Sequence, residues 1–373
     1  MIAFRDVRIT EIEIFKLNVP LSEPFVISLG TITDANNLVV KLHTNAGLTG
    51  TGESCPYIYI VGETQASNYE MARQIARLWK GQNPLEIEAR LGEMNRAVAY
   101  NYTVKSAFDM ALFDLLGKYS HLPVYALLGG KNDRKIHTDM TVSIGDPAKM
   151  AADALKFKQE GFPAIKVKLG GTRDDDVARI RAIREAVGSE IPLRIDANQG
   201  WDCVTAIATL KALAPYDIEH CEEPVPHWNN RDLARVRAES PIPIMADESL
   251  FDHHDAFRLA SMGACDYFNI KLSKSGGIQN ALRIIAVAES CGLKSQIGVM
   301  SETRYAVTAL CHLALARKNI IYFDLDSPLM LSADPVTGGM EYFPKGEIRI
   351  PDAPGFGADF DADFLAEMER VVV

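Results

Sequence analysis

The first third of the chain alternates apolar and polar residues in the way that half-buried β-strands do. Residues 10–17 and 37–43 follow this pattern, and the turn Asn45-Ala-Gly47 leads into a return strand. Strands first and helices afterwards predict a separate α+β capping domain over residues 1–130. The helix-like stretches that follow the strands are 66–80, 84–94 and 104–119.

From about residue 135, short apolar runs alternate with amphipathic stretches; Val177, Ile180 and Ile183, for example, recur at helical spacing. Eight strands, with a helix after each of the first seven, predict an α/β fold: a modified TIM barrel, (β/α)7β, over residues 131–330. The turn-rich tail, residues 331–373, is predicted to pack back on the first domain. The candidate strands are 137–144, 164–169, 192–197, 218–223, 242–248, 267–272, 295–300 and 320–325.

Composition narrows the choice of partners and compartment. The 373 residues are 47% apolar and 24% charged, with a formal net charge of −10 and no long basic run. We therefore expect neither nucleic acid nor an anionic membrane as a partner. The N-terminal residues lack the apolar core of a signal peptide, and no run approaches the roughly 18 apolar residues of a membrane span. Six cysteines without a CxxC pair fit free thiols, so we expect a cytoplasmic protein.

Charged residues end five successive apolar runs. Lys168, Asp196, Glu222, Asp247 and Lys271 are separated by 28, 26, 25 and 24 residues, about the length of one strand, one helix and two loops. Active sites of such barrels lie at the C-terminal ends of the strands, so these five side chains are predicted to lie together. We refer to them as the charged ring.

The three carboxylates in the middle of the charged ring indicate a metal site. Asp196, Glu222 and Asp247 would repel one another unless a cation joined them. Oxygen ligands without histidine or cysteine favour Mg²⁺, with Mn²⁺ as an alternative. Spacing alone does not distinguish Glu222 from Glu223. The competing interpretation is that the acids are N-caps of the helices that follow the strands.

The lysines of the ring indicate proton transfer. Lys166 and Lys168 share one face of a strand, about 7 Å apart, and we expect burial and mutual repulsion to lower their pKa values and create a general base. The alternative is an exposed edge strand with solvated lysines. Lys271 lies on the sixth strand, across the barrel from Lys168. A metal between them would bind a carboxylate substrate and stabilise its enolate, so that proton transfer on opposite faces inverts a stereocentre.

A pair of acids marks the eighth predicted strand. Asp324 and Asp326 are two residues apart, so their side chains share one face. Two anions near a metal pocket need a cation, and the ammonium group of a substrate would supply one. The alternative is helix capping or a supporting salt bridge.

Taken together, these residues resemble the enolase superfamily in its muconate-lactonizing subgroup, over nearly the whole chain. The resemblance implies Glu222 rather than Glu223 as the ligand. A lysine or histidine base acting with Mg²⁺ is a documented pattern of that superfamily, so this pairing is taken from the resemblance. The K-x-K motif, the three metal ligands and the opposing lysine of the subgroup are matched by Lys166-Val-Lys168, by Asp196, Glu222 and Asp247, and by Lys271.

Within the subgroup the chain resembles the dipeptide epimerases, of the L-Ala-D/L-Glu epimerase type. Their Asp-x-Asp on the eighth strand, which binds the dipeptide ammonium group, matches Asp324-Leu-Asp326, and Thr141 and Val299 match positions that line their substrate pocket. The resemblance implies a Mg²⁺-dependent homo-oligomer that inverts the α-carbon of the C-terminal residue of a dipeptide.

By the same resemblance, Lys168 and Lys271 form the acid/base pair, and Lys166 supports Lys168 and the substrate carboxylate. Alternatives that keep the ring are an N-acylamino acid racemase, an o-succinylbenzoate synthase or a cycloisomerase. An alternative of another class is a non-catalytic barrel that binds a metal or ligand.

One position departs from the family pattern. Members that act on L-Ala-D/L-Glu carry an arginine after a Pro-Phe pair in a capping-domain loop, where Pro24-Phe-Val-Ile-Ser-Leu-Gly30 places Gly30 here. Glycine cannot pair with a carboxylate, and the other capping loop, Ile58-Tyr-Ile60, is apolar or aromatic. We therefore predict dipeptides whose second residue is uncharged or hydrophobic.

Overall fold

The computed structural model describes residues 2–373. Its first part is an antiparallel sheet followed by helices, because two long alternating segments pair directly with each other. The pairing brings Ile14 opposite Val40, and both pack in one apolar cluster with Trp79 and Phe108 from the helices. The elements are β1 (Ile9–Ile27), β2 (Gly30–Thr44), β3 (Thr49–Ser54), α1 (Ile58–Val61), α2 (Gln65–Trp79), α3 (Ile87–Ala97), α4 (Tyr102–Ser120) and α5 (Val124–Leu128).

Glycine allows the sheet to lie directly on α4. A Cβ built at Gly52 of β3 would come 1.8 Å from the carbonyl oxygen of Ala107. Any larger residue at this position would push the strand away from the helix, so glycine sets the distance between the two layers.

The second part is a barrel. Eight parallel strands are hydrogen-bonded in the order β12-β11-β10-β9-β8-β7-β6-β5, and Asp139 N donates to Phe323 O at 3.2 Å where the first strand meets the last. The predicted fold class is confirmed. The elements are β4 (Ile136–His137), β5 (Met140–Val142), α6 (Pro147–Glu160), β6 (Ile165–Lys168), α7 (Arg173–Val187), β7 (Leu193–Asp196), α8 (Cys203–Leu213), β8 (Ile218–Glu222), α9 (Asn230–Glu239), β9 (Ile244–Ala246), α10 (His253–Met262), β10 (Tyr267–Ile270), α11 (Leu272–Ser275), α12 (Ile278–Ser290), β11 (Lys294–Ile297), α13 (Arg304–Ala316), β12 (Ile320–Phe323) and α14 (Ser327–Met330).

The first candidate barrel strand, 137–144, is wrong as a single element. The chain breaks at Thr138 and Asp139, and only β5 joins the barrel sheet. The break has polar causes: Thr138 Oγ1 accepts a hydrogen bond from Leu325 N (2.9 Å), and the buried Asp139 carboxylate accepts one from Arg194 Nη1 (2.8 Å). These bonds turn the two residues out of a continuous strand.

The tail forms short strands that contact both parts of the chain. The last strand pairs with β1, and the third strand of the tail pairs with β4. Phe360 stacks on Tyr305 of α13, with 5.1 Å between ring centroids. No helix among residues 2–373 is both long and apolar enough to span a membrane. The elements of the tail are β13 (Val336–Gly338), β14 (Glu341–Phe343), β15 (Glu347–Arg349), β16 (Ala358–Phe360), α15 (Ala362–Ala366) and β17 (Arg370–Val372).

Glu53, at the end of β3, connects the first part to the barrel. Its buried carboxylate accepts hydrogen bonds from Thr303 N (2.9 Å), Thr303 Oγ1 (2.8 Å) and Ala306 N (3.1 Å) at the start of α13, and from Asn37 Nδ2 (2.8 Å) in β2. Negative charge at a helix N-terminus is favourable, although burial raises the pKa of Glu53 to about 7. This contact holds the first sheet against the barrel, beside the strand ends.

Candidate active site

The three carboxylates of the charged ring converge. Asp196 and Glu222 end β7 and β8 and are direct neighbours in the sheet register, and Asp247 follows β9. All three are fully buried, and they offer oxygen atoms that lie within 4.8 Å of one another. Parallel strands in register therefore bring together side chains that are about 25 residues apart in the sequence.

The helix-capping interpretation of these acids does not hold. The N-caps of α7, α8, α9 and α10 are other residues, whose side chains accept hydrogen bonds from the first helical turns. Glu223 differs from Glu222, because its carboxylate accepts from Asp247 N (2.7 Å) and Ser249 N (3.2 Å). Glu222 is thus left to face the barrel interior. The four N-caps are Thr172, Asp202, Asn229 and Asp252.

The electrostatics of the acids indicate that a cation belongs among them. Burial and the neighbouring charge of Asp196 raise the pKa of Glu222 to about 8. The two oxygens of Asp247 face lysine ammonium groups at 2.8 and 3.0 Å, and one oxygen of Glu248 is buried without a hydrogen-bond partner among residues 2–373. Three converging, fully buried carboxylates are a donor set that fits a hard divalent cation such as Mg²⁺. The residues that would hold it are Asp196, Glu222 and Asp247.

Lysines lie on both sides of this acidic cluster. Lys168 Nζ is 2.6 Å from Asp196 Oδ2, and Lys271 Nζ is 2.8 Å from Asp247 Oδ2. Lys166 Nζ lies within 3.2 Å of Asp196, 2.9 Å of Glu222 and 2.8 Å of a fourth acid, Asp324. All three lysines are buried, so the exposed edge-strand alternative is wrong.

The expected lowering of lysine pKa values is wrong for Lys166. Burial does work to lower its pKa, but the charges of Asp324, Glu222 and Asp196 outweigh burial and raise that pKa well above its ordinary value. At Lys271, burial also works to lower the pKa, but the charge of Asp247 outweighs burial and raises it. In turn Lys168 and Lys166 outweigh burial at Asp196 and lower the pKa of that acid to about 2. The carboxylates therefore favour the ammonium forms of Lys166 and Lys271.

Asp324 and Asp326 lie in a second group of acids that includes a residue the sequence analysis missed. Asp139, Asp324 and Asp326 are buried and offer oxygens within 4.8 Å of one another. Burial and the charge of Asp324 raise the pKa of Asp139 to about 8. Asp139 Oδ1 has no hydrogen-bond partner within residues 2–373. The missed signal was an acidic residue, Asp139, inside the predicted strand 137–144.

Lys274 was also missed. Its Nζ is 3.0 Å from Asp247 Oδ1 and donates to the carbonyl oxygens of Asp247 and Leu250. It lies in α11, three residues after Lys271, which is the residue that precedes the helix. Lys274 thus helps to fix the position of Asp247.

The other predicted pocket residues divide between two openings. Val299, together with Lys168 and Lys271, lines a cavity of about 60 Å³. Thr141 lines a neighbouring groove instead, and its backbone N–H donates to Asp326 Oδ2 at 2.8 Å. Phe25 lines both openings. The groove and the cavity therefore meet at Phe25.

Gly30 lies beside the cavity rather than in its wall. It is the first residue of β2, directly after the turn that follows β1, and a Cβ there would lie 3.7 Å from Tyr59 Cε2 and 4.0 Å from Tyr57 Oη. Tyr57 does line the cavity, together with the apolar side chains of Ile32 and Ile60. The charged side chains that line the cavity are Asp34, Lys168 and Lys271.

Comparison with known proteins places both parts of the chain in one family. Residues 9–129 match the family model described as "Mandelate racemase / muconate lactonizing enzyme, N-terminal domain". Residues 149–364 match the model described as "Enolase C-terminal domain-like". The resemblance seen in the sequence is thereby confirmed.

Several similar proteins are named as epimerases. The D-Ala-D/L-Ala epimerase of Cytophaga hutchinsonii is 48% identical over 365 residues, covering 98% of this chain and 99% of that protein. The hydrophobic dipeptide epimerase of Enterococcus faecalis is 41% identical over 351 residues, covering 94% and 99%. The N-succinyl-L-Arg/Lys racemase of Bacillus cereus is 34% identical, covering 97% of this chain and 98% of that protein.

Solved structures of two of these relatives have the same fold. The dipeptide epimerase from Cytophaga hutchinsonii, complexed with Mg and D-Ala-L-Val, matches with a TM-score of 0.97 over 98% of this chain and 100% of that chain, at 48% identity. The dipeptide epimerase from Enterococcus faecalis, complexed with Mg and L-Leu-L-Tyr, matches with a TM-score of 0.92 over 94% and 99%, at 40% identity.

Proposed function

Because the chain belongs to the mandelate racemase/muconate lactonizing enzyme family of the enolase superfamily, we propose that it is a Mg²⁺-dependent dipeptide epimerase that inverts the α-carbon of the C-terminal residue. One observation carries the proposal: three buried carboxylates converge, with Lys168 at one side and Lys271 at the other. The similar proteins named as dipeptide epimerases, two of them solved with Mg and a dipeptide, support it.

The residues of this chain divide the reaction between them. Asp196, Glu222 and Asp247 would hold the metal, which when bound fixes the substrate carboxylate and stabilises the negative charge that develops there as the α-proton leaves. One of the two lysines, Lys168 or Lys271, accepts the α-proton in its neutral form, which becomes more favourable when a bound metal offsets the charge of the neighbouring carboxylates. The ammonium group of the other lysine donates a proton to the opposite face of the same carbon. The carbon is inverted, and the two lysines have exchanged protonation states.

The remaining charged residues position these groups. Lys166 bridges Asp196, Glu222 and Asp324 and keeps their carboxylates at fixed distances. Asp324 and Asp326, with Thr141 donating to the latter, would receive the α-ammonium group of the dipeptide. Burial and the charge of Asp324 raise the pKa of Asp326 to about 6. A positive charge beside these two acids, such as the ammonium group of a substrate, would therefore be favourable.

A racemase that acts on N-acylamino acids is the second candidate, because the N-succinyl-L-Arg/Lys racemase of Bacillus cereus is 34% identical. Its substrates have no free α-ammonium group. The double variant Asp324→Asn with Asp326→Asn separates the two activities. A dipeptide epimerase should lose kcat/KM for L-Ala-L-Ala by roughly 100-fold or more, since a charged hydrogen-bonded pair is removed. If that value is unchanged, the dipeptide assignment is wrong.

We also propose that the second residue of the dipeptide is uncharged or hydrophobic. Gly30 offers no positive charge beside the cavity, Ile32 and Ile60 are apolar, and Asp34 would repel an acidic side chain. The printed names of the Cytophaga hutchinsonii and Enterococcus faecalis relatives agree with this preference. A direct comparison of kcat/KM for L-Ala-L-Ala, L-Ala-L-Val and L-Ala-L-Glu tests it, and L-Ala-L-Glu as clearly the best substrate would refute it.

Further features belong to the same proposal. Residues 1–130 with the tail 331–373 form the capping domain, and residues 131–330 form the catalytic barrel. Mg²⁺ is the cofactor of the reaction, and Mn²⁺ is able to substitute for it. The enzyme acts in the cytoplasm as a homo-oligomer.

A further inference from the structure

A cavity of about 320 Å³ lies away from the charged ring, between the capping helices and the outside of the barrel. It is lined by residues of α3 and α4 on one side and by residues of α10, α11 and α12 on the other. It shares no lining residue with the cavity that contains Lys168 and Lys271. The proposed reaction makes no use of it.

Two polar side chains of this cavity lack partners. Lys105 of α4 is only 6% exposed, and within residues 2–373 its ammonium group makes no hydrogen bond or ion pair. The ring of Tyr102, with its centroid 5.9 Å from Nζ, is the contact that it does make. Ser275, the last residue of α11, is fully buried, and its Oγ has no hydrogen-bond partner in the described part of the chain. Buried polar groups are normally satisfied, so the Ser275 hydroxyl indicates a missing partner, and Lys105 places an unpaired positive charge beside the same cavity.

Two of the acids around the cavity already accept hydrogen bonds from other groups of the chain. Asp109 accepts from Ile278 N (2.6 Å) and Gln279 N (3.2 Å) at the start of α12. Asp252 accepts from Tyr102 Oη (3.3 Å) and from the start of α10. Neither acid forms an ion pair with Lys105. Glu63 acts on Lys105 through its charge but forms no ion pair with it within residues 2–373. An anion from outside the chain would give this ammonium group a direct partner.

The mixed charge of the lining restricts that anion. Lys105 and Arg283 are cationic, whereas Glu88, Asp109 and Asp252 are acidic. A dianion such as phosphate would meet three carboxylates, and a simple cation would meet the lysine and the arginine. A small molecule with one carboxylate and one ammonium group matches both sets of charges, so each of its charged groups has an opposite charge to pair with. The volume of about 320 Å³ accommodates such a molecule.

We propose that this cavity binds a zwitterionic α-amino acid or short peptide, with its carboxylate on Lys105 Nζ and Ser275 Oγ and its ammonium group towards the acids. This site is independent of the proposed reaction. The ligand would join α4 of the capping helices to α11. The helix α11 begins directly after Lys271 and contains Lys274, which pairs with Asp247. Occupancy would therefore stabilise the junction between the two parts of the molecule.

The test uses L-alanine as the probe and the Mg²⁺-loaded protein. Calorimetric titration measures affinity, and thermal unfolding measures the shift in Tm that L-alanine causes. Lys105→Met should weaken L-alanine binding roughly tenfold or more, because a charged hydrogen bond is lost. Without ligand the same variant should have an unchanged or higher Tm, because it removes an unpaired buried charge. Ser275→Ala should weaken binding in the same direction.

Matched variants separate the cavity from other effects. Lys118→Met changes another lysine of α4, which pairs with the buried Asp114 at 2.7 Å; it should lower Tm and leave the L-alanine shift intact. Asp324→Asn alters the acids near the charged ring and should also leave the shift intact. Unchanged L-alanine affinity in both Lys105→Met and Ser275→Ala would overturn the proposal. Acetate binding as tightly as L-alanine would overturn the zwitterion assignment.

Discussion

Replacing Lys166 with methionine tests whether the lysines near the acidic cluster are charged. Lys166 Nζ lies 2.8–3.2 Å from Asp324, Glu222 and Asp196, and all four side chains are buried. Methionine keeps most of the side-chain volume and removes the charge. The three acids would then share a dry site with one cation fewer.

The cost follows from the burial of these groups. Removing one partner of a buried ion pair typically costs about 3–5 kcal/mol, because the other charge is left uncompensated. An unfolding entropy of about 2.1 cal/mol/K per residue, applied to 373 residues, gives roughly 0.8 kcal/mol per degree. Lys166→Met should therefore lower Tm by about 4–6 °C in EDTA. With saturating Mg²⁺ the loss should be smaller, because the cation supplies charge to Asp196 and Glu222.

Thermal unfolding of the parent and the variant, each in EDTA and in Mg²⁺, measures this effect. Lys211→Met is the control, since Lys211 pairs with Glu239 at 3.5 Å on the surface. An exposed pair contributes about 0–1 kcal/mol, so Tm should fall by no more than about 1 °C. A Lys166→Met protein that unfolds within about 1 °C of the parent in EDTA would refute the charged-lysine account.

Three further predictions concern packing, pH and metal removal. In denaturant unfolding, Gly52→Ala should destabilise the protein by at least about 3 kcal/mol, because its Cβ would lie 1.8 Å from Ala107 O. The control is Gly92→Ala, whose Cβ would have only Arg96 Nη1 nearby, at 3.4 Å. This control should be neutral or stabilising by up to about 1 kcal/mol. Burial raises the pKa of Asp109 to about 7 from an ordinary value of 3.8, so the native protein binds a proton that the unfolded chain has already lost. Stability from this group is complete below pH 3.8 and falls by up to about 4 kcal/mol as pH rises through 7, and Asp109→Asn should reduce this slope in denaturant unfolding between pH 5 and 8. EDTA should abolish turnover of L-Ala-L-Ala and Mg²⁺ should restore it; turnover that continues in EDTA would exclude a required metal.

The sequence predicted those features that repeat at regular intervals. β6, β7 and β8 fall inside the expected ranges because each is a short apolar run that ends in a charged residue. Lys168, Asp196 and Glu222 meet because parallel strands in register align their ends. A pattern that depends on strand period and register is readable from the chain alone.

Features that depend on distant partners were not readable in this way. The lysine pKa values were predicted in the wrong direction for Lys166, since the repulsion from its neighbour in sequence was considered and the attraction of three acids from other strands was not. Asp139 interrupts a strand because Arg194, 55 residues away, pairs with it. Such contacts form only when the barrel closes, and no local sequence pattern predicts them.

The most direct test of the account is solvent exchange at the α-carbon. The enzyme is incubated in D₂O with Mg²⁺ and with L-Ala-L-Ala, and the dipeptide is analysed by mass spectrometry and chiral chromatography. The account predicts a gain of one mass unit (about 1 Da) at the C-terminal residue together with its inversion, both lost in EDTA, and inversion lost in Lys168→Ala and in Lys271→Ala. Exchange that survives both lysine variants, or that occurs with N-acylamino acids and with no dipeptide, would contradict it.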